Sequence, residues 1–524
     1  MLNVLVKYIQ KLIFVMLFNK KKNAFRGIFW GLIHNFVSII LPFVIRTVII
    51  GTIGIKYIGL GSLFAGLLGV LSLAELGFGS AISFCFYKPI ADNDTNKINA
   101  LLNFLKKSYR IIGVIIFFCG ILLLPFLKTL ISGDCPDNIN VYILFLIYLS
   151  NTSISYFLFA YKKILLIVHQ RYDIEVKIST LVLFIQSILQ LVILMLFRNY
   201  YYFILILPAM TIFNNIVSAF LVKKLFPQYF CFGKLDDVSI SDIVKKVKGV
   251  FCYKIGSTVL FSVDSIVISI FLGLEILGKF NNYYIIVYSL FAIQAVIQNS
   301  IRPIISSCIA MESIGKNYSD FNKFNFLYMW ISFSFSVCCL CLYQNFIELW
   351  LGNSYLLPNS IVFLLVVSFY SQSCCHLLRI YQEASGLFFE GKFVPLIAAA
   401  FNLVMNIILV NIIGLPGVII STIASVMFIL LPGYAFVLFK YYFKEINKLK
   451  QQIMYYIKYI TISFILGILL FYLCNAIDGK GIIEFLIKIL ISVLIPNILY
   501  YIIFIKDPNC RNSISFLLKK RNAK

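Results

Sequence analysis

Apolar residues are grouped in runs of about twenty, the length a helix needs to cross a bilayer core of about 30 Å. Fourteen such runs are read along the chain: 27–50, 62–86, 109–131, 141–161, 178–197, 201–222, 249–272, 280–304, 324–346, 361–383, 387–412, 415–439, 459–477 and 482–505. The tightest connections fall at Gly386, Gly414 and Gly481. The pattern predicts an all-α polytopic membrane protein of about 14 transmembrane helices.

Composition sharpens this reading. Of 524 residues, 61% are apolar and 13% charged, and the mean hydropathy is +0.95. A soluble chain could not hide that much apolar surface. The net charge of +24 is the electrostatic mark of some nucleic-acid binders, but the basic residues collect in short loops, where they set membrane orientation. A nucleic-acid partner is not expected.

Loop charge then gives topology. All but seven of the 45 Lys and Arg residues fall on the side that carries both termini; the exceptions are Arg46, Lys56, Lys128, Arg198, Lys279, Lys480 and Lys488. Both termini are therefore expected in the cytoplasm of a multi-pass membrane protein. Lys7 and Lys11 interrupt the first apolar stretch and no small-x-small site follows, so residues 1–19 read as an amphipathic helix on the inner surface rather than a cleavable signal.

The turn after the first span reads Gly54-Ile-Lys-Tyr-Ile-Gly59, and the turn after the seventh reads Gly273-Leu-Glu-Ile-Leu-Gly278. Six spans separate the copies, as expected for two parallel, pseudo-twofold-related six-helix bundles plus two C-terminal helices. The expected segments are a cytoplasmic N-terminal stretch 1–26, a bundle 27–222, a linker 223–248, a second bundle 249–439, and 440–524 with a basic linker, spans 13 and 14 and a tail. Two such bundles enclose a cavity and give alternating access by rocking.

Ionisable side chains in mid-membrane cost several kcal/mol and need a partner or a wet cavity. Glu75 in span 2 shares a helical face with Ser72, Gly79 and Ser83; Asp264 in span 7 shares one with Ser257 and Phe261. Arg46 lies towards the outer end of span 1, and Lys254 one turn into span 7. Span 8 carries Gln294, Gln298 and Arg302 at steps of four; span 10 carries Gln372, His376, Arg379 and Glu383 on one stripe. Two readings compete at each position. Arg379 and Glu383 can simply pair, Arg302 and Lys254 can anchor an inner helix end, Arg46 can snorkel outward, and Glu75 and Asp264 can be hydrogen-bonded struts. His34 reads as a satisfied core histidine. As a cavity lining, Arg46, Lys254, Arg302 and Arg379 would take an anion, Glu75, Asp264 and Glu383 would serve ion coupling, and Gln294, Gln298, His376 and the scattered amides Asn402 and Asn406 would meet sugar hydroxyls.

No catalytic constellation is present: neither GxxxxGK[ST] nor HExxH occurs, and the 13 cysteines sit mostly in apolar runs without metal spacing. No enzyme activity, metal or cofactor is expected, beyond H⁺ or Na⁺ as coupling ion.

The runs Tyr57-Ile-Gly-Leu-Gly-Ser-Leu-Phe64, Leu71-Ser-Leu-Ala-Glu-Leu-Gly-Phe-Gly-Ser-Ala81 and Tyr87-Lys-Pro-Ile-Ala-Asp92 are followed in the second half by Asp264-Ser-Ile-Val-Ile-Ser-Ile-Phe-Leu-Gly273, Asn281-Asn-Tyr-Tyr284 and Leu349-Trp-Leu-Gly352. In this order they resemble the polysaccharide flippases of O-antigen and capsule synthesis, in the multidrug/oligosaccharidyl-lipid/polysaccharide exporter superfamily. The resemblance covers nearly the whole chain. It implies a substrate, an undecaprenyl-pyrophosphate-linked oligosaccharide crossing from the cytoplasmic to the outer leaflet while its tail stays in lipid, and as partners membrane lipids, a polysaccharide polymerase and a chain-length regulator. The cationic cavity of that family is carried onto Arg46, Lys254 and Arg302. The competing expectations are a drug/cation antiporter of the same fold, a cell-wall lipid-precursor flippase, and a membrane scaffold without transport.

Overall fold

A computed structural model describes residues 20–75, 78–136, 138–477 and 482–519. The amphipathic helix expected over 1–19 lies outside the described residues, as does Lys480. The described chain is helical throughout and divides into two units, Met1–Phe251 and Cys252–Lys524.

The first unit begins with α1 (Lys20–Thr52), α2 (Lys56–Leu71) and α3 (Phe78–Ala91). There follow α4 (Thr95–Leu123), α5 (Val141–Phe157), the short α6 (Lys163–Val168), α7 (Tyr172–Phe197) and α8 (Tyr200–Leu225). Asparagines start two of these helices: Asn140 accepts from the amides of Tyr142 and Ile143, and Asn199 from those of Tyr201 and Tyr202. Span 2 departs from the expectation of one unbroken helix. A 3₁₀ turn, Ser72–Glu75, ends α2 before α3 begins, so the helical period that aligned Glu75 with Gly79 and Ser83 does not run through. Span 4 is bent as well, by 55° between Val141–Phe157 and Ala160–Val168.

The longest helix, α9 (Asp237–Met311), joins the expected spans 7 and 8 and starts inside the expected linker. It is broken once, at Gly273 (φ 85°, ψ 173°). Gly54, between α1 and α2, likewise has φ 103°. Both copies of the Gly-x-x-x-x-Gly turn thus open on a glycine in a backbone region that side chains avoid. The second unit continues with α10 (Ile314–Leu351), α11 (Asn359–Ala384), α12 (Phe393–Ile413) and α13 (Leu415–Tyr442). It ends with α14 (Asn447–Asn475), α15 (Ile482–Phe504) and α16 (Pro508–Lys519).

Among the described residues ten helices are long and apolar enough to cross a membrane, or eleven with the bent pair of span 4 counted as one. The two halves of α9 and the broken α2–α3 run bring the helical segments into line with the fourteen expected spans. Large apolar side chains point outward at full exposure, among them Leu196 at 71% and Phe428 at 77%, which only a lipid environment tolerates. The two extra C-terminal spans pack within the second unit: Ser463 of α14 bonds Tyr370 at 2.9 Å, and Asn497 of α15 accepts from Ser334 at 2.9 Å.

Candidate functional site

The second unit holds most of the expected polar residues, and it gathers them into two networks. The first is a ladder. Gln294 donates to Ser332 of α10 at 3.1 Å and accepts from Ser373 of α11 at 3.1 Å. Gln298 donates to the Tyr328 hydroxyl at 2.8 Å and to His376 Nδ1 at 2.9 Å, with Tyr328 and His376 2.8 Å apart. With Nδ1 accepting, the ring proton belongs on Nε2. Arg302 then ion-pairs with Glu383, and Arg379 approaches the same carboxylate at 3.8 Å. The two stripes read from spans 8 and 10 therefore face each other at His376 and Glu383, while Gln294 meets Ser373 and the expected Gln372 instead donates to Ser368 within α11.

This changes the standing of several residues. Gln294 and Gln298 are 0% and 6% exposed: they tie α9, α10 and α11 together instead of facing open space. Glu383 is shared by two arginines rather than paired with Arg379 alone. At this end of the ladder Arg302 keeps 43% of its side chain exposed, against 31% for Arg379, so it is the most accessible cation here.

The second network surrounds Asp264. Asn406 of α12 donates to one carboxylate oxygen at 2.8 Å and Thr422 of α13 to the other at 2.9 Å. Asn406 also donates to Asn402 at 3.1 Å, and Asn402 to Thr422 at 3.2 Å. Among the described residues Asn406 Oδ1 is buried without a hydrogen-bond partner. A close helix contact makes this possible: a Cβ on Gly256 would lie 2.2 Å from the carbonyl carbon of Pro395, so only glycine lets α9 approach α12 there. Asp264 lies two turns further along the same face of α9. Lys254 is on the same helix, half-buried. The side chains of Ser257 and Phe261, expected beside Asp264, lie outside the described residues.

In the first unit the two deep charges stand apart and among tyrosines. The Tyr156 hydroxyl donates to Glu75, and the Tyr156 ring packs edge-on against Tyr109 at 5.7 Å. Arg46 lies near Tyr200, whose hydroxyl lies 3.1 Å from that of Tyr148 and donates to the Tyr57 carbonyl at 3.1 Å. His34 meets the Thr180 hydroxyl at 3.2 Å across α1 and α7; it has a partner, as expected, but is half-buried rather than in the core.

Sequence reasoning missed the partners Tyr109, Tyr156, Tyr200, Tyr328 and Thr422. A tyrosine inside an apolar run carries no signal of its own, while Ser421-Thr422 with Ser425 offered a weak one.

No protein-family model and no curated protein matches the sequence. Solved structures match the fold. The lipid II flippase MurJ in an inward closed conformation superposes with a TM-score of 0.63 at 16% identity, over 92% of this chain and 99% of that one. An inward-facing multidrug resistance MATE family transporter of the MOP superfamily gives 0.56 at 13% identity, over 80% and 96%. A MATE protein in a bent conformation gives 0.54 at 14%, over 84% and 98%. The chain has the fold that these flippases and transporters share. It is a multi-span membrane protein whose solved neighbours are transporters rather than enzymes.

Proposed function

We propose that this protein is a flippase that moves a polyprenyl-pyrophosphate-linked oligosaccharide from the cytoplasmic to the outer leaflet of the bacterial inner membrane by alternating access, for surface polysaccharide synthesis. The observation that carries the reading is the fold likeness to a lipid II flippase over 92% of the chain, against 80–84% for the two transporters above. The cations Arg46, Lys254, Arg302 and Arg379 support it, because a pyrophosphate diester needs cations to replace lost hydration. Its two charges also gain about 2.3 kcal/mol each per 100 mV on leaving an inside-negative cell.

Asp264 is the coupling carboxylate in this reading. Its network gathers several side-chain oxygens near mid-membrane, where a half-buried carboxylate can exchange H⁺ or Na⁺; Glu75 has one hydroxyl partner among the described residues and serves as a second cavity carboxylate. A polysaccharide polymerase and a chain-length regulator act with it.

The test is a deletion strain complemented with the wild type and with Arg302→Ala. Loss of the surface glycan in the deletion, restored by wild type and not by an inserted Arg302→Ala protein, is the expected result. Arrest of growth would favour a cell-wall lipid precursor, the substrate class in the name of the flippase neighbour. Hypersensitivity to cationic drugs with normal glycan would favour antiport.

A further inference from the structure

The first unit carries a second feature, apart from its tyrosine-attended charges. A cleft of about 760 Å³ opens along α1, α7 and α8, with Arg26, Arg171, Lys177 and Trp30 at its mouth. Asp173 accepts from Arg171 at 3.0 and 3.4 Å. That pair uses two of the five guanidinium N–H groups and fixes the cation in place. Lys177 stacks its ammonium over the Trp30 ring at 5.3 Å, and both Lys177 and Arg26 are exposed. The residues that line the cleft carry three cations against the one anion Asp173; Glu175, the other acid in the first turn of α7, does not line it, and the amide end of the helix adds to the positive mouth. Below the mouth the lining turns apolar, through Ile178, Leu181, Ile185, Phe213 and Val217. From Arg171 to Ile185 is about 20 Å along a helix at 1.5 Å per residue, so the apolar floor reaches about one leaflet deep. The His34–Thr180 contact joins α1 to α7 beside this floor, so two walls of the cleft are bonded together.

We propose that this cleft is a binding site for an anionic glycerophospholipid of the leaflet that faces the basic loops. The phosphodiester sits among Arg26, Arg171 and Lys177, the glycerol edge meets Trp30, and an acyl chain lies along the apolar floor. Tryptophan and basic residues at the membrane boundary suit a headgroup, and the one-leaflet depth fits an acyl chain better than a polyprenyl chain. The assignment does not depend on which molecule the protein transports, because the cleft lies wholly within the first unit.

The test uses fluorescence. The chain has three tryptophans, so Trp330→Phe with Trp350→Phe leaves Trp30 as the reporter. The full-length protein is placed in phosphatidylcholine vesicles containing increasing brominated phosphatidylglycerol or, separately, brominated phosphatidylcholine. Quenching at a mole fraction of the anionic lipid lower by about 25-fold is expected. Arg26→Gln with Lys177→Gln should bring the two curves together, each basic side chain accounting for about fivefold in affinity. Lys88→Gln with Lys97→Gln, two exposed cations on α3 and α4, which contribute no residue to the cleft, should leave the preference intact. Equal quenching by both lipids in the parent protein overturns the proposal, and so does loss of preference in the Lys88/Lys97 variant. Relief of quenching by a polyprenyl pyrophosphate at lower mole fraction than the phospholipid would assign the cleft to the carrier and overturn it too. No transport step is read, so failure of the flippase reading would leave these outcomes unchanged.

Discussion

The two units accommodate polar groups in an apolar setting in different ways. In the first, each deep charge has aromatic company: Glu75 with Tyr156 and Tyr109, Arg46 with Tyr200. In the second, amides and hydroxyls link three helices at once, through Gln294, Gln298 and Arg302 on one side and Asp264 with Asn402, Asn406 and Thr422 on the other. A tyrosine supplies one hydroxyl and an apolar ring, so it steadies a charge without enclosing it. A ladder of amides satisfies most of its own groups and fixes helix positions. In the second unit the ladder ties helices together, while Arg302 stands at the ladder's end and Asp264 in a separate network.

The contrast can be broken by substitution, and the largest effect is expected at a helix contact. Gly256→Leu must force α9 away from α12, since even a Cβ would lie 2.2 Å from the Pro395 backbone. A loss of about 3 kcal/mol or more is expected, read as a lowered Tm and poor recovery of monodisperse protein in detergent. Gly61→Ala in the first unit meets only the hydroxyls of Tyr200 and Tyr148, at 2.9 and 3.0 Å, and should cost clearly less. Equal losses would mean that both units are packed alike.

Next comes coupling. Asp264→Asn should abolish the dependence of transport on imposed H⁺ or Na⁺ gradients, whereas Glu75→Gln, which still accepts from Tyr156, should slow transport and keep that dependence. The reverse pattern would move the coupling site to the first unit.

Smaller effects sharpen the ladder. Gln298→Leu removes two hydrogen bonds and should cost about 1 kcal/mol, because such bonds average about 0.6 kcal/mol in membrane proteins. Tyr156→Phe removes one and should cost about half as much in stability. It should change transport more than Gln298→Leu does, and a flipping-rate comparison checks this. The smallest effect on transport is expected at a helix start: Asn199→Ala removes the cap of α8 and should cost about 1 kcal/mol of stability, with transport unchanged.

Much of this arrangement was legible in the chain. Runs of about twenty apolar residues gave the spans, steps of four gave the stripe Gln294-Gln298-Arg302, and steps of three and four gave Gln372-His376-Arg379-Glu383. Helical period states which residues share a face, but not which face meets it. That is why the pairing of these two stripes, and the shared use of Glu383 by two arginines, required the fold. Tyrosine partners were invisible because hydropathy counts the ring. The 3₁₀ turn at Ser72–Glu75 went unread because no proline interrupts an apolar stretch that looks continuous. The left-handed glycines at 54 and 273, by contrast, were marked by a repeated motif.

The most direct measurement reconstitutes the purified protein in proteoliposomes with a fluorescent polyprenyl-pyrophosphate oligosaccharide on the inner leaflet. Exposure of the sugar to a membrane-impermeant glycosidase outside is then timed. Wild-type protein should expose the sugar many times faster than empty vesicles, under an inside-negative potential, and Arg46→Ala with Arg302→Ala should return the rate to that of empty vesicles. A wild-type rate no faster than empty vesicles, alongside uptake or release of a cationic drug by the same preparation, would contradict the account.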